Sequence, residues 1–189
     1  INSVPKNILL VMDEAYFEFL NDSVDLLPLI RNGQKTNLLL MRTFSKIFGL
    51  AGLRLGYGIA VPELITALEK IRQPFSINSL AQAAALAALD DDEHLKKTRA
   101  NNFTGLHFLE NELRKMKLEY VPSSANFILV RVDDGQKVFN ELQKLGVITR
   151  PMGGYGLPEW IRISVGTPAE NERFADALKS TLDRIPKTN

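Results

Sequence analysis

Two short unbroken apolar runs constrain the fold of this chain more than any other feature. Ile8-Leu9-Leu10-Val11-Met12 ends in Asp13-Glu14, and Leu38-Leu39-Leu40-Met41, opened by Asn37, ends in Arg42-Thr43. A run without polar alternation is expected to be buried on both faces, as in the central strands of a parallel sheet covered by helices. Residues 53–60 read as a third strand, weakened by Gly56 and Gly58. Pro62 suits the first turn of a helix over 62–72. The Ala-rich segment 79–89 reads as a helix, since alanine loses no side-chain entropy there.

A long amphipathic helix follows over about 93–116. Leu95, Phe103, Leu106, Leu109, Leu113 and Met116 recur at steps that place them on one stripe. Beyond it the texture changes to a strand (126–132), a helix (135–145) and two strands (147–150, 160–165). Thr167-Pro168-Ala169-Glu170 reads as a capping box with proline at the first helical position, opening a helix to about 182. Two α/β units are expected, 1–92 and 93–189, with the boundary near the start of the long helix. The chain opens on Ile1 with no Met, shortly before a strong strand, so it is expected to be a piece of a longer protein.

Composition narrows the function classes. Of 189 residues, 45% are hydrophobic and 24% charged, which is ordinary globular usage. Lys plus Arg is 23 and Asp plus Glu is 22, giving a net charge of +1. Such a balance gives no reason to expect a nucleic acid or an anionic membrane surface as partner. No apolar run approaches the ~20 residues of a membrane span, and the first residues lack a signal-peptide layout. The absence of cysteine excludes disulfides, thiolate catalysis and Cys-based zinc sites. It fits a reducing compartment. His94 and His107 are expected to face solvent, and two lone histidines make no metal site.

In open α/β sheets, function gathers beyond the carboxyl ends of the strands. Three such ends carry reactive residues. At the first, Asp13 needs a cation or strong donors if its strand end is buried, and could equally be a helix cap or half of a structural ion pair. At the second, Lys46 follows Thr43-Phe44-Ser45 in an apolar, Gly-rich segment. Desolvation favours a neutral, nucleophilic amine of the kind Schiff-base chemistry uses. Ser45 and Arg54 add a hydroxyl and a guanidinium, a natural pair for a phosphate. The glycine spacing matches neither the dinucleotide fingerprint nor the P-loop, and a solvated loop lysine is the competing reading. At the third, Arg162 interrupts an apolar strand. It must either pair with an acid or face a pocket that takes an anion.

Four segments together resemble the fold-type I pyridoxal-phosphate-dependent aminotransferases, in order and over nearly the whole chain. They are Asp13-Glu14-Ala15-Tyr16, Thr43-Phe44-Ser45-Lys46, Leu50-Ala51-Gly52-Leu53-Arg54-Leu55-Gly56-Tyr57, and Arg150-Pro151 through Gly156-Leu157-Pro158 to Arg162-Ile163-Ser164-Val165-Gly166. Within that family they are most similar to the histidinol-phosphate aminotransferases. The resemblance implies an α/β fold: the second half of a three-layer αβα large domain plus a smaller α/β C-terminal domain. The family's N-terminal half carries a phosphate-cradling turn, a ring-stacking aromatic and an asparagine near the ring oxygen, and nothing here replaces them.

The resemblance also implies roles. Lys46 would hold pyridoxal 5'-phosphate covalently and shuttle the substrate proton. Asp13 would pair with the pyridine nitrogen and Tyr16 with the ring's phenolic oxygen. Ser45 and Arg54 would bind the cofactor phosphate, with Thr43 a weaker contact. Arg162 would take the substrate's carboxylate or phosphate, with Arg150 a second anion contact. The implied reaction is transamination of histidinol phosphate with 2-oxoglutarate, giving glutamate, in histidine biosynthesis. The complete enzyme would be a cytoplasmic homodimer. A threonine-phosphate decarboxylase or an aromatic aminotransferase of the same fold, a Ser45–Lys46 hydrolase, and a fragment without activity of its own stay open.

Overall fold

Leu38 and Leu40 are fully buried and form the centre of a three-stranded sheet in the first half of the chain. The computed structural model describes Ile1 and residues 3–185. It divides into two units, Ile1–Lys96 and Lys97–Asn189.

In the first unit, β1 (Leu10–Asp13), β2 (Leu38–Thr43) and β3 (Gly56–Ile59) lie side by side in that order. β1 and β2 are parallel, with Leu10 opposite Leu38 and Asp13 opposite Met41. β3 returns antiparallel, with Thr43 opposite Gly56. The expectation of burial on both faces is met by β2 alone. β1 is an edge strand whose Val11 is 47% exposed and whose Asp13 is also exposed. Apolar content records a tendency to be buried, and does not specify which neighbours cover the strand. β3 is shorter than expected because Ala51–Leu53 winds into a 3-10 turn that ends on Arg54 at φ 53°. Gly56 then lets β3 close on β2, since a Cβ there would stand 2.7 Å from the Arg42 carbonyl oxygen.

Helices cover this sheet locally. α1 (Leu27–Arg31), which the sequence pattern did not reveal, adds Ile30 to a cluster with Leu26, Leu38 and Leu40. α2 (Pro62–Glu69) stops short of Arg72. Pro74 disfavours a helical Gln73, and the N–H groups of Ile71 and Arg72 bond only three residues back. α3 (Ser79–Leu89) is capped by Asn78, whose side chain accepts the Ala81 N–H at 2.8 Å. Its buried Ala81 and Ala85 pack with Phe44, Ile47, Phe48 and Leu55.

α4 (Asp92–Lys115) begins at an Asp91 cap, where the side chain accepts the His94 N–H at 2.9 Å. Acids in its first turn and Arg114 and Lys115 in its last suit the helix dipole. Of the expected stripe, Leu106, Leu109 and Leu113 are buried, whereas Phe103 is 53% exposed and lies against His107.

The second unit holds β4 (Tyr120–Val121), β5 (Phe127–Arg131), α5 (Gly135–Lys144), β6 (Arg150–Pro151), β7 (Trp160–Ser164) and α6 (Pro168–Arg184). The strands run in the order β4-β5-β7-β6, all antiparallel. One face alternates inward with Ile128, Val130, Ile161 and Ile163, which pack with Leu109, Leu113, Leu142, Phe174 and Leu178. The other face carries Phe127, Leu129 and Arg162 and stays partly open, as antiparallel sheets allow. The expected strand over 147–150 shrinks to Arg150–Pro151. It lies at the sheet edge, Ile148 is left 79% exposed, and Pro151 has no N–H to extend the ladder. The capping box is formed as read: Glu170 accepts from the Thr167 N–H at 2.7 Å, and Thr167 accepts from the Glu170 N–H. Gly105 allows α4 to approach the start of α6, where a Cβ would collide with the Val165 side chain and crowd Asn171.

Candidate active site

The loop from Thr43 to Gly56 is tied to itself before any side chain points outward. Phe44 N–H donates to the Leu55 carbonyl at 3.1 Å, and Leu50 N–H returns to the Phe44 carbonyl at 3.0 Å. Phe44, Ile47 and Phe48 are buried anchors. Thr43 closes the first bend: its hydroxyl accepts the Ser45 N–H at 3.0 Å and donates to the Leu55 carbonyl at 3.4 Å. The His94 ring hydrogen-bonds the Ile47 carbonyl at 2.9 Å. That histidine was expected only to face solvent, and although exposed it braces this loop. His107 bonds the Phe103 carbonyl at 3.0 Å on its own helix.

From this frame Lys46 emerges half-buried, its Nζ 4.9 Å from the centroid of the Tyr16 ring. Ser45 Oγ accepts from Arg54 Nη1 at 3.5 Å, and the same nitrogen donates to the Ala51 carbonyl at 2.9 Å. Arg54 adopts the left-handed region, φ 53°. A residue with a Cβ loses roughly 1–2 kcal/mol there. The adjacent Ser45 and Lys46 thus engage different partners, Arg54 and Tyr16, which argues against a Ser-Lys nucleophile pair.

Asp13 differs from expectation. It is exposed at the end of β1, and its Oδ1 accepts the Ala15 N–H at 3.0 Å. Its other oxygen has no bond among the described residues. The ion pair at this strand end belongs to the next residue: Glu14 Oε2 accepts from Arg42 Nε at 2.8 Å. Burial alone would pull the Arg42 guanidinium down. The Glu14 carboxylate and the Tyr57 phenol reverse that and hold it above its ordinary value. Arg42 and its pair with Glu14 were missed in the sequence, where Arg42 read only as the polar end of an apolar run.

In the second unit, Arg150 and Arg162 face each other across β6 and β7. Arg162 lies over the Phe127 ring at 4.9 Å, and Arg150 Nη1 reaches the Tyr155 hydroxyl at 3.5 Å. Neither has a carboxylate within 4.0 Å among the described residues. Two like charges directly opposite on a sheet are unfavourable unless an anion joins them. A hollow of about 890 Å³ in this unit is lined by Met116, Leu118, Arg131, Val138 and Lys179 among others, and by none of the candidate residues. Among the described residues no group of acids and histidines is placed to hold a metal, and no helix is long and apolar enough to cross a membrane.

The donor set in the first unit fits pyridoxal phosphate group by group. An acid at Asp13 suits a pyridinium, a phenol at Tyr16 the ring oxygen, and an amine at Lys46 the aldehyde. The Ser45–Arg54 pair, joined at 3.5 Å, suits a phosphate.

Residues 1–178 match the family described as aminotransferase class I and II. The histidinol-phosphate aminotransferase of Akkermansia muciniphila is 52% identical over 95% of this chain and 49% of its own length. Histidinol-phosphate aminotransferase 2 of Ralstonia nicotianae is 51% identical over 95% of this chain and 49% of its own. The Sinorhizobium meliloti histidinol-phosphate aminotransferase, solved in complex with pyridoxal-5'-phosphate, superposes with a TM-score of 0.87 at 32% identity, covering 96% of this chain and 50% of that one. The chain spans about half the length of the curated relatives it matches. The chain therefore belongs to the aminotransferase class I and II family.

Proposed function

We propose that this chain forms the second half of a pyridoxal-phosphate-dependent histidinol-phosphate aminotransferase. In this reading residues 1–92 are a large-domain segment, and 93–189 are the linking helix and small domain. The observation that carries the reading is the Lys46 amine over the Tyr16 ring, beside the Ser45–Arg54 pair at 3.5 Å. The identity of about half to histidinol-phosphate aminotransferases supports the substrate. The complete protein is proposed to act as a homodimer in the cytoplasm, on histidinol phosphate with glutamate and 2-oxoglutarate as the second pair.

When bound, pyridoxal phosphate supplies an aldehyde and a ring that accepts electron density from the substrate Cα. Asp13 would set its carboxylate against the ring nitrogen and favour that nitrogen's protonated form. Tyr16 donates its phenol to the ring oxygen. Ser45 and Arg54, with Thr43 holding the Ser45 backbone, bind the cofactor phosphate. Nζ of Lys46 would hold the cofactor at its aldehyde carbon and, once displaced there by the substrate amine, would be the free amine that moves the proton off the substrate Cα. Arg162 and Arg150 take the substrate's anionic group, a phosphate in one half-reaction and a carboxylate in the other.

The test is a substrate panel on the complete polypeptide that contains this chain. Glutamate should form from 2-oxoglutarate only with histidinol phosphate as donor. Carbon dioxide release from threonine phosphate, or faster turnover of phenylalanine or tyrosine, would replace the substrate while keeping the cofactor.

A further inference from the structure

Resting on the cofactor reading above, we propose that Glu14, Arg42 and Phe17 form a positioning cluster that fixes the backbone carrying Asp13, Tyr16 and Thr43. Each member of the cluster is the immediate sequence neighbour of one of these: Glu14 of Asp13, Phe17 of Tyr16, Arg42 of Thr43. Side chains alternate along a strand, so Glu14 and Arg42 project from the opposite face of the sheet to Asp13 and Thr43.

One guanidinium joins all three segments. Its Nε donates to Glu14 at 2.8 Å, and its Cζ lies 4.0 Å from the Phe17 ring centroid. The backbone is locked at the same point. Glu14 N–H donates to the Met41 carbonyl at 2.8 Å, and Phe17 N–H to the Glu14 carbonyl at 3.0 Å. The two charged side chains are only 12% and 8% exposed, so water competes little for them. A fork that bonds in its plane and stacks on its face is available to arginine and not to lysine. A buried ion pair adds little net stability compared with an apolar substitute. Its distinctive effect is to allow one arrangement of the β1 end, the Phe17–Phe19 turn and the β2 end. Asp13 is exposed, and among the described residues its side chain is restrained by the Ala15 N–H contact alone. Its aim therefore depends on the backbone that Glu14 and Arg42 fix.

The experiment compares the complete parent protein with Arg42→Lys and Phe17→Leu, each loaded with pyridoxal phosphate. Three readouts are taken: the pH titration of the bound cofactor's visible absorption, kcat and KM for histidinol phosphate, and thermal unfolding without cofactor. Arg42→Lys should displace the titration and lower kcat by roughly 10- to 100-fold, the usual effect of losing an outer supporting contact. KM should stay close to the parent's. Phe17→Leu should act in the same direction and more weakly, and it decides the matter if Arg42→Lys fails to fold. A parent-like titration and kcat in folded variants overturns the proposal. So does lost thermal stability with an unchanged titration, which would make the cluster purely structural. A parent that shows no cofactor band overturns the functional reading instead, and is recognised before any variant is made.

Discussion

Arg162→Ala separates an arginine held for its ligand from one held for the fold. In the folded chain its favourable contact is the Phe127 ring at 4.9 Å, about 0.5–1 kcal/mol for a partly exposed cation. Against it stands Arg150 directly across the ladder, a like-charge pair that costs roughly 0.2–1 kcal/mol. The two nearly cancel, so the substitution should change unfolding free energy by less than about 1 kcal/mol. Substrate binding should respond very differently. Losing a charge-assisted contact to an anion costs about 2–5 kcal/mol, which is roughly 30-fold or more in kcat/KM. Denaturant unfolding, cofactor content and kcat/KM of the complete protein are measured side by side. Stability lost with kcat/KM intact would refute the anion-contact role. Cofactor lost with substrate binding spared would exchange the roles of Arg162 and Arg54.

Asp13→Asn should keep the fold, since its shape is nearly unchanged and Asn can still accept the Ala15 N–H. It should lose transamination by orders of magnitude, and full activity would reject its role at the ring nitrogen. Glu170 is held below the usual carboxylate range by the Thr167 N–H first and the Thr167 hydroxyl second. Its folded pKa lies below its unfolded one, so its contribution is complete above the ordinary glutamate value and is lost as pH falls through the lower folded value. Acid titration of unfolding should therefore be shallower in Glu170→Gln, and identical curves would refute the box as a pH-dependent cap. The 189-residue chain by itself should bind pyridoxal phosphate weakly, turn over nothing measurable and self-associate. Leu9 and Val11 at the β1 edge and Met41 on β2 are 45–47% exposed, and Phe75 is fully exposed. A monomer by sedimentation, or micromolar stoichiometric binding with turnover, would contradict this.

The fold was legible where local chemistry decides it. Thr167 and Glu170 specify a helix start from four residues, whereas the caps at Asn78, Asp91 and Asp134, with bonds of 2.8 to 2.9 Å, emerged only in the structure. The burial of Leu38 to Leu40 follows from an unbroken apolar run. What could not be read depends on distant partners. The run over 8–12 has the same texture as β2, yet it became an edge strand. The β-branched run at 147–149 has strand propensity and finds no ladder. β4 pairs two residues with Val130 and Leu129, too few to leave a pattern. In the candidate site, Lys46, Ser45, Arg54, Asp13 and Tyr16 stood out by residue type and by their place after strands. Glu14 and Arg42 did not, because their pairing is set by the parallel register of β1 and β2, and no spacing within the chain records it.

Borohydride reduction of the cofactor-loaded complete protein, followed by peptide mapping, tests the central claim most directly. Lys46 is the amine placed over Tyr16 beside the Ser45–Arg54 pair, so the reduced cofactor should be found on the peptide that contains Lys46. Lys46→Ala should abolish the label. Label on another lysine, such as Lys70, or undiminished label in Lys46→Ala, would contradict the assignment.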